Sequence, residues 1–370
     1  MSYERAISAL HLRMPSEIPI YLIMDHPEFV KSTTGIDPSR HPYLAAKALV
    51  ERFDIDLGGF TLSDEPVKAP DEKIEGDTVQ TPDGGLRSKY SRETTWYLHS
   101  PFKSVEDVLR FDTDPFGKDS EKALYPDYAL SNFRWLYEDW TEKIRESEET
   151  AKKIRALYDN RLVAGNGFYT TLFMWPIMIF GWDLFLEAGG LYPDEMGALL
   201  GRFAEITRRF SEFTAVSASE FFMPHDDIAM ASGPIFNPRW YRKYIFPKYE
   251  YIFEPVRKKG QPVVFMSDGN YTEFLDDLAS VTDGFLFEPL TDLERAVKRY
   301  GGNKVIIGNV DSRVLLLGTK ADIFKEVKRC TDLGRDSPGY FISCTNHITY
   351  NIPLENVYAY FDACEKLRKR

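Results

Sequence analysis

The sequence predicts an α/β protein built as a single (β/α)8 TIM barrel. Three observations carry this. Short apolar runs recur along the chain and end at polar or glycine-bearing turns, as buried parallel strands do. Amphipathic helical segments separate these runs, as βαβ units require. The length, 370 residues, suits one barrel with insertions. We expect one domain over 1–370, with 72–160 as insertions that include a hairpin and helices.

The clearest run is Gln261–Asn270, Gln-Pro-Val-Val-Phe-Met-Ser-Asp-Gly-Asn. Strand alternation puts Met266 and Asp268 on one face at its carboxyl end. Gly269 permits a tight exit. An Asp beside a Gly is also a common turn former. Polar strand ends elsewhere favour the functional reading.

In chain order, Tyr3–His11 reads as a short helix and Ile18–Ile23 as the first strand, ending at Asp25-His26-Pro27. His26 can be read as a ligand, but a solvated or capping histidine is the simpler reading. Pro42–Phe53 is helical, and Gly59–Leu62 is a second strand ending at Asp64. Lys73–His99 is polar, with Thr81–Gly85 as a turn between two segments able to pair as a hairpin. Ser104–Arg110 is a short helix. Asn132–Leu157 is a long amphipathic one, with Trp135, Trp140, Ile144 and Ile154 on its apolar positions. Arg161–Gly165 is a third strand. Thr171–Phe180 is a buried helix beside a pocket, too short to span a bilayer. Helix Tyr192–Glu220 leads to strand Phe221–Met223, and Arg239–Lys259 is helical after Asn237-Pro238. Strand Val263–Met266 precedes helix Tyr271–Ala279. Strands Gly284–Phe287, Val305–Ile307 and Tyr340–Ser343 complete eight, separated by helices Asp292–Arg299 and Thr319–Cys330. Leu354–Arg368 closes the chain.

Composition narrows the function. The net charge of −11 and pI near 5.2 disfavour nucleic acid and anionic membrane surfaces as partners. The three cysteines, Cys330, Cys344 and Cys364, contain no CxxC pair, so a reducing cytoplasm is expected. The start Met-Ser-Tyr-Glu-Arg lacks an apolar leader, and no run has membrane-spanning length.

The strand ends supply the chemical inventory. They carry Asp64, then His225, Asp226 and Asp227, then Asp268, Glu288, Asn309 and Asp311, and finally Cys344, Asn346 and His347. Acids, imidazoles and a thiol at one barrel mouth can bind a divalent metal. They can equally be hydrogen-bonded carboxylates without one. No Ser/His/Asp order, P-loop or GxGxxG is present.

A series of short motifs follows in order: Asp226-Asp227-Ile, Pro247, Gly260-Gln-Pro-Val-Val, Ser267-Asp-Gly-Asn, Glu288-Pro, Gly308-Asn-Val-Asp, Gly339-Tyr-Phe-Ile-Ser and Pro353-Leu-Glu-Asn-Val. With them the chain resembles the uroporphyrinogen decarboxylase-like superfamily, most strongly over residues 220–365. That superfamily contains tetrapyrrole decarboxylases and corrinoid-dependent methyltransferases, and its fold is the (β/α)8 barrel. Its decarboxylases carry an Arg-Gln-Ala-Gly segment after the first strand, where this chain reads Asp25-His26-Pro27-Glu28. Asp64 matches their acidic residue after strand two. Thiol-methylating members use a His-x-Cys strand end, where this chain has Met266-x-Asp268.

The chain is more similar to the O-demethylase methyltransferases. A Glu326-x20-His347 spacing resembles one proposed for that branch. The resemblance implies transfer of a methyl group from an O-methyl donor, such as a methoxylated aromatic, to a corrinoid carried by a partner protein. Zn²⁺ would act as Lewis acid. It implies metal ligands among Asp268, Glu288, Cys344 and His347. Catalytic roles would fall to His225, Asp226, Asp227 and Asp64, and cofactor contacts to Asn270 and Asn346. A homodimer is compatible with it. Two other functions stand beside this one: a cofactor-free tetrapyrrole-carboxylate decarboxylase, and a barrel that binds a small ligand without catalysis.

Overall fold

A computed structural model describes residues 2–66, 100–344 and 347–370. Between 67 and 99 it describes only the strands Glu72–Glu75, Thr78–Gln80, Leu86–Ser88 and Thr95–Trp96. These four pair antiparallel in sequence order, with Thr78 opposite Ser88. The expected hairpin therefore forms, while its turn at 81–85 lies outside the described residues.

The eight strands are Tyr21–Leu22, Leu57–Gly58, Asn166–Phe168, Phe222–Pro224, Val264–Ser267, Gly284–Phe287, Val305–Ile307 and Tyr340–Phe341. Parallel ladders join the first to the second, the third to the fourth, and the fifth through the eighth. Single parallel bridges link the fourth to the fifth at Phe222–Val263 and His225–Met266. Another, Ile20–Ile342, closes the eighth onto the first. The chain is a (β/α)8 barrel.

Alternation sorts the side chains into two cores. Tyr21, Leu57, Val163, Phe221, Val264, Leu286, Ile307 and Phe341 fill the interior. Helix Ser2–Leu10 adds Ala6, Ala9 and Leu10 to that cluster. Phe222, Phe265, Phe285, Ile306, Ile342 and Cys344 face outward into the larger core shared with the helices. Buried ion pairs tie the chain's two ends together. Asp56 receives Arg5 and Arg368, each at 2.7 Å.

Several boundaries differ from the sequence reading, each for a local reason. The second strand is Leu57–Gly58, not Gly59–Leu62. The Thr61 hydroxyl accepts the Ser63 N–H, taking the chain into a turn. In the third strand the Ala164 N–H goes to the Glu220 carboxylate, so the ladder starts at Asn166. The expected helix Asn132–Leu157 is a 3-10 segment, Leu130–Tyr137, followed by helix Thr141–Leu157. Asp139 separates them by accepting the Thr141 N–H. Arg239–Lys259 is two helices, Pro238–Tyr244 and Phe246–Lys258, because Pro247 cannot continue the first. Among the described residues no helix is long and apolar enough to cross a membrane.

Candidate metal centre at the barrel mouth

The fourth strand runs Phe221-Phe222-Met223-Pro224 into His225. Phe221 and Met223 belong to the barrel interior, so His225 continues the inward face. The fifth strand carries Val264 and Met266 inward, and Asp268 follows in register. Asp227 folds back toward both. Its Oδ1 lies 2.9 Å from His225 Nε2 and accepts the Asp268 N–H at 2.9 Å. One ligand atom from each of His225, Asp227 and Asp268 lies within 4.8 Å of the others. Glu288, at the end of the sixth strand, accepts the Gly269 N–H at 3.0 Å.

The electrostatics follow from this crowding. Burial and the neighbouring Asp227 and Glu288 charges push the Asp268 carboxyl up to about 7, with His225 opposing. Burial opposes charging of His225, but Asp227, Asp268 and Asp226 outweigh it and raise its pKa. Burial pulls Asp227 up, and its bond and charge contact with His225 hold it below the usual carboxylate range. The group thus limits its own negative charge by retaining protons. A divalent cation would meet the same demand, held by one imidazole and two carboxylates. The residues present fit a metal.

Apart from His347, the other sequence-derived candidates lie elsewhere or are held in local bonds. Asp226 points away from the interior. It accepts the N–H groups of Leu172, Phe173 and Met174 at 2.7–2.8 Å and the Tyr249 hydroxyl at 2.6 Å. It anchors the start of helix Met174–Phe180. Asp64 accepts the N–H groups of Tyr43 and Leu44 at the start of helix Pro42–Phe53 and pairs with His41. Cys344 shares a face with Ile342 as expected, but that face is the helix layer. It is buried there, its N–H donates to Tyr360, and burial drives its thiol pKa up. His347 is half-buried near Asp25 and His225. Asn270 Oδ1 accepts the Thr272 N–H. Asn346 lies outside the described residues. Glu326 pairs with Arg329 and accepts the Asp311 N–H. His26 is a cap: Nδ1 accepts the Phe29 N–H, so Nε2 carries the proton donated to the Ile352 carbonyl.

One neighbour escaped the sequence reading. Tyr169 follows Gly165 and Gly167 on the inward face of the third strand. Its ring stands edge-on to His225 at 4.6 Å, with Tyr128 beyond it at 6.2 Å. Period-two counting from Gly165 through Gly167 would have put it at the mouth.

The family model described as Uroporphyrinogen decarboxylase (URO-D) matches residues 150–367. The chain belongs to the uroporphyrinogen decarboxylase family. A uroporphyrinogen decarboxylase of Carboxydothermus hydrogenoformans is 26% identical over 165 residues, covering 44% of this chain and 45% of the relative. One from Syntrophotalea carbinolica is 27% identical over 137 residues, covering 36% and 39%. The chain thus spans less than half the length of these curated relatives. A solved methyltransferase from Methanosarcina mazei superposes with a TM-score of 0.63 at 16% identity, covering 99% of this chain and 98% of that one. At that identity the likeness shows the fold. In this family member, His225, Asp227 and Asp268 all lie within the matched region.

Proposed function

We propose that this family member is a zinc-dependent methyltransferase that passes a methyl group from an O-methyl donor to a corrinoid on a partner protein. The observation that carries the reading is the convergence of His225, Asp227 and Asp268 at the ends of the fourth and fifth strands. In (β/α)8 barrels that face carries the chemistry. The likeness to a protein described as a methyltransferase, over nearly the whole chain, supports it.

His225, Asp227 and Asp268 would hold a zinc ion, which would supply Lewis acidity for a poor leaving group. The protein's share is placement. Asp227 orients His225 through its 2.9 Å contact, and Glu288 fixes the turn that holds Asp268. Tyr169 braces the His225 ring and gives the mouth an aromatic wall. No nucleotide-binding motif is present, so the acceptor comes from outside. We assign the mouth as the face where a corrinoid protein docks.

The test is methylation of cob(I)alamin by the zinc-loaded protein with a panel of methoxylated aromatics. Transfer from none of them defeats the reading. The likeness to two uroporphyrinogen decarboxylases favours a second one, decarboxylation of uroporphyrinogen. Against it stand the acids near the site, Asp25, Asp227, Asp268 and Glu288, which would repel a polycarboxylate.

A further inference from the structure

The barrel wall has a seam. No ladder or bridge joins the second strand to the third among the described residues. Glycines edge the seam on both sides, Gly58 and Gly59 facing Gly165 and Gly167. A β-carbon on Gly59 would meet nothing within 4 Å, and one on Gly167 only the Met223 carbonyl at 3.7 Å, whereas at Gly58 it would meet the Leu22 carbonyl at 2.3 Å and at Gly165 the Phe221 ring at 2.1 Å. The space between is a cavity of about 280 Å³, lined by Leu57, Phe60, Tyr158, Phe221 and Met223 among others. A second cavity of about 490 Å³ lies beside helix Thr141–Leu157. The two share Ile154, Gly165 and Asn166 as lining residues.

We propose that these two cavities form a side passage through the barrel wall, carrying a small uncharged aromatic or aliphatic molecule from the surface to the floor of the His225–Asp227–Asp268 group. Its inner end is marked by Met223, one of the lining residues. Met223 precedes His225 by two residues on the same inward face, a rise of roughly 6.5 Å along the strand.

The lining sets the ligand class. Among the described residues no charged side chain borders the inner cavity. The Tyr21 hydroxyl reaches only the Met223 sulfur, at 3.9 Å, and the other two polar side chains are engaged. The Tyr158 hydroxyl donates to the Thr61 carbonyl at 2.7 Å, and the Asn166 amide donates to Thr214 and Ser217 at 3.3 and 3.2 Å. At the outer cavity Lys143 and Glu146 pair with each other at 2.9 Å. A carboxylate passing inward would lose water and gain no partner, whereas an apolar ring loses little. The inner volume lies near the lower end of small-ligand sites, roughly 300–1,000 Å³. The passage rests on the methyl-transfer reading only for its purpose: an acceptor protein seated on the mouth leaves the donor in need of another route.

Phenol is the probe, titrated calorimetrically into zinc-loaded and zinc-free protein. Binding is expected in both forms. Ile154→Trp fills the junction of the two cavities from the helix side, and Gly167→Val fills the inner end from the strand. Each should weaken phenol binding by at least roughly tenfold while zinc stoichiometry stays unchanged. Ile154→Ala should bind as well as wild type. Thermal unfolding reports whether each variant folds, and Gly167→Val decides if Ile154→Trp does not. Absence of phenol binding to wild type, or undiminished binding in the folded plugging variants, overturns the passage. The assay needs neither metal nor methyl transfer. A protein that binds phenol through the passage but methylates no corrinoid defeats the functional reading and leaves the passage standing.

Discussion

The Asp227 Oδ1 oxygen sits 2.9 Å from His225 Nε2 and also accepts the Asp268 N–H at 2.9 Å. One carboxylate oxygen thereby links the ends of two neighbouring strands. It sets the spacing of the three side chains that face the mouth together. Asp227 itself comes from the turn after the fourth strand, so the geometry depends on that turn as much as on the sheet.

Asp268→Ala and His225→Ala should each remove zinc from purified protein and leave the fold intact. Elemental analysis of protein passed over a desalting column reads this directly. Glu288→Ala should weaken affinity by roughly tenfold, because Glu288 acts by holding the Gly269 turn. Full zinc content in both Asp268→Ala and His225→Ala would end the metal assignment.

Zinc affinity should fall as pH drops below about 7. The Asp268 carboxyl, raised to about 7, must lose its proton to bind a cation. Above that pH the site is already ionised there, and the dependence should flatten for this group. The raised His225 pKa adds to the acid-side loss in the same direction. Competition titrations with a zinc chelator between pH 6 and 8 (about one unit either side of the Asp268 value) measure the slope. A flat profile across that window would contradict the assigned ligands.

Asp226→Asn should destabilise the fold without emptying the metal group. The side chain is fully buried and accepts four hydrogen bonds, three from backbone N–H groups and one from Tyr249. An amide presents one acceptor oxygen and a donor where acceptors are needed. The cost should be about 2–4 kcal/mol, seen as a lower denaturant midpoint with normal zinc per folded chain. Unchanged stability would show that Asp226 does not anchor the helix at Met174.

Uroporphyrinogen should not be turned over. The segment after the first strand offers Asp25 and a capping His26, neither able to grip a carboxylate as a bidentate arginine does. Product analysis after prolonged incubation checks this, and any coproporphyrinogen formed would restore the decarboxylase reading.

The sequence by itself determined the barrel and the inward row of the fifth strand. Both follow from periods of two and 3.6 residues and from turns rich in Gly, Pro and Asp. His225 and Asp227 were legible as catalytic candidates and Asp268 as a metal ligand, because they stand at strand ends, but the sequence did not group the three. Tertiary structure decided which of them meet. Period two shows that Cys344 shares a face with Ile342, but which face looks inward is fixed by the sheet's closure. That closure sends Cys344 into the helix layer and Phe341 into the barrel. Asp226 and Asp227 are adjacent in sequence, yet one anchors a helix start and the other reaches the mouth, because the turn between them reverses their directions. The seam between the second and third strands was invisible in the sequence for a related reason. Strand pairing is a contact between segments more than 100 residues apart, from Gly58 to Asn166, and no local pattern records whether it forms.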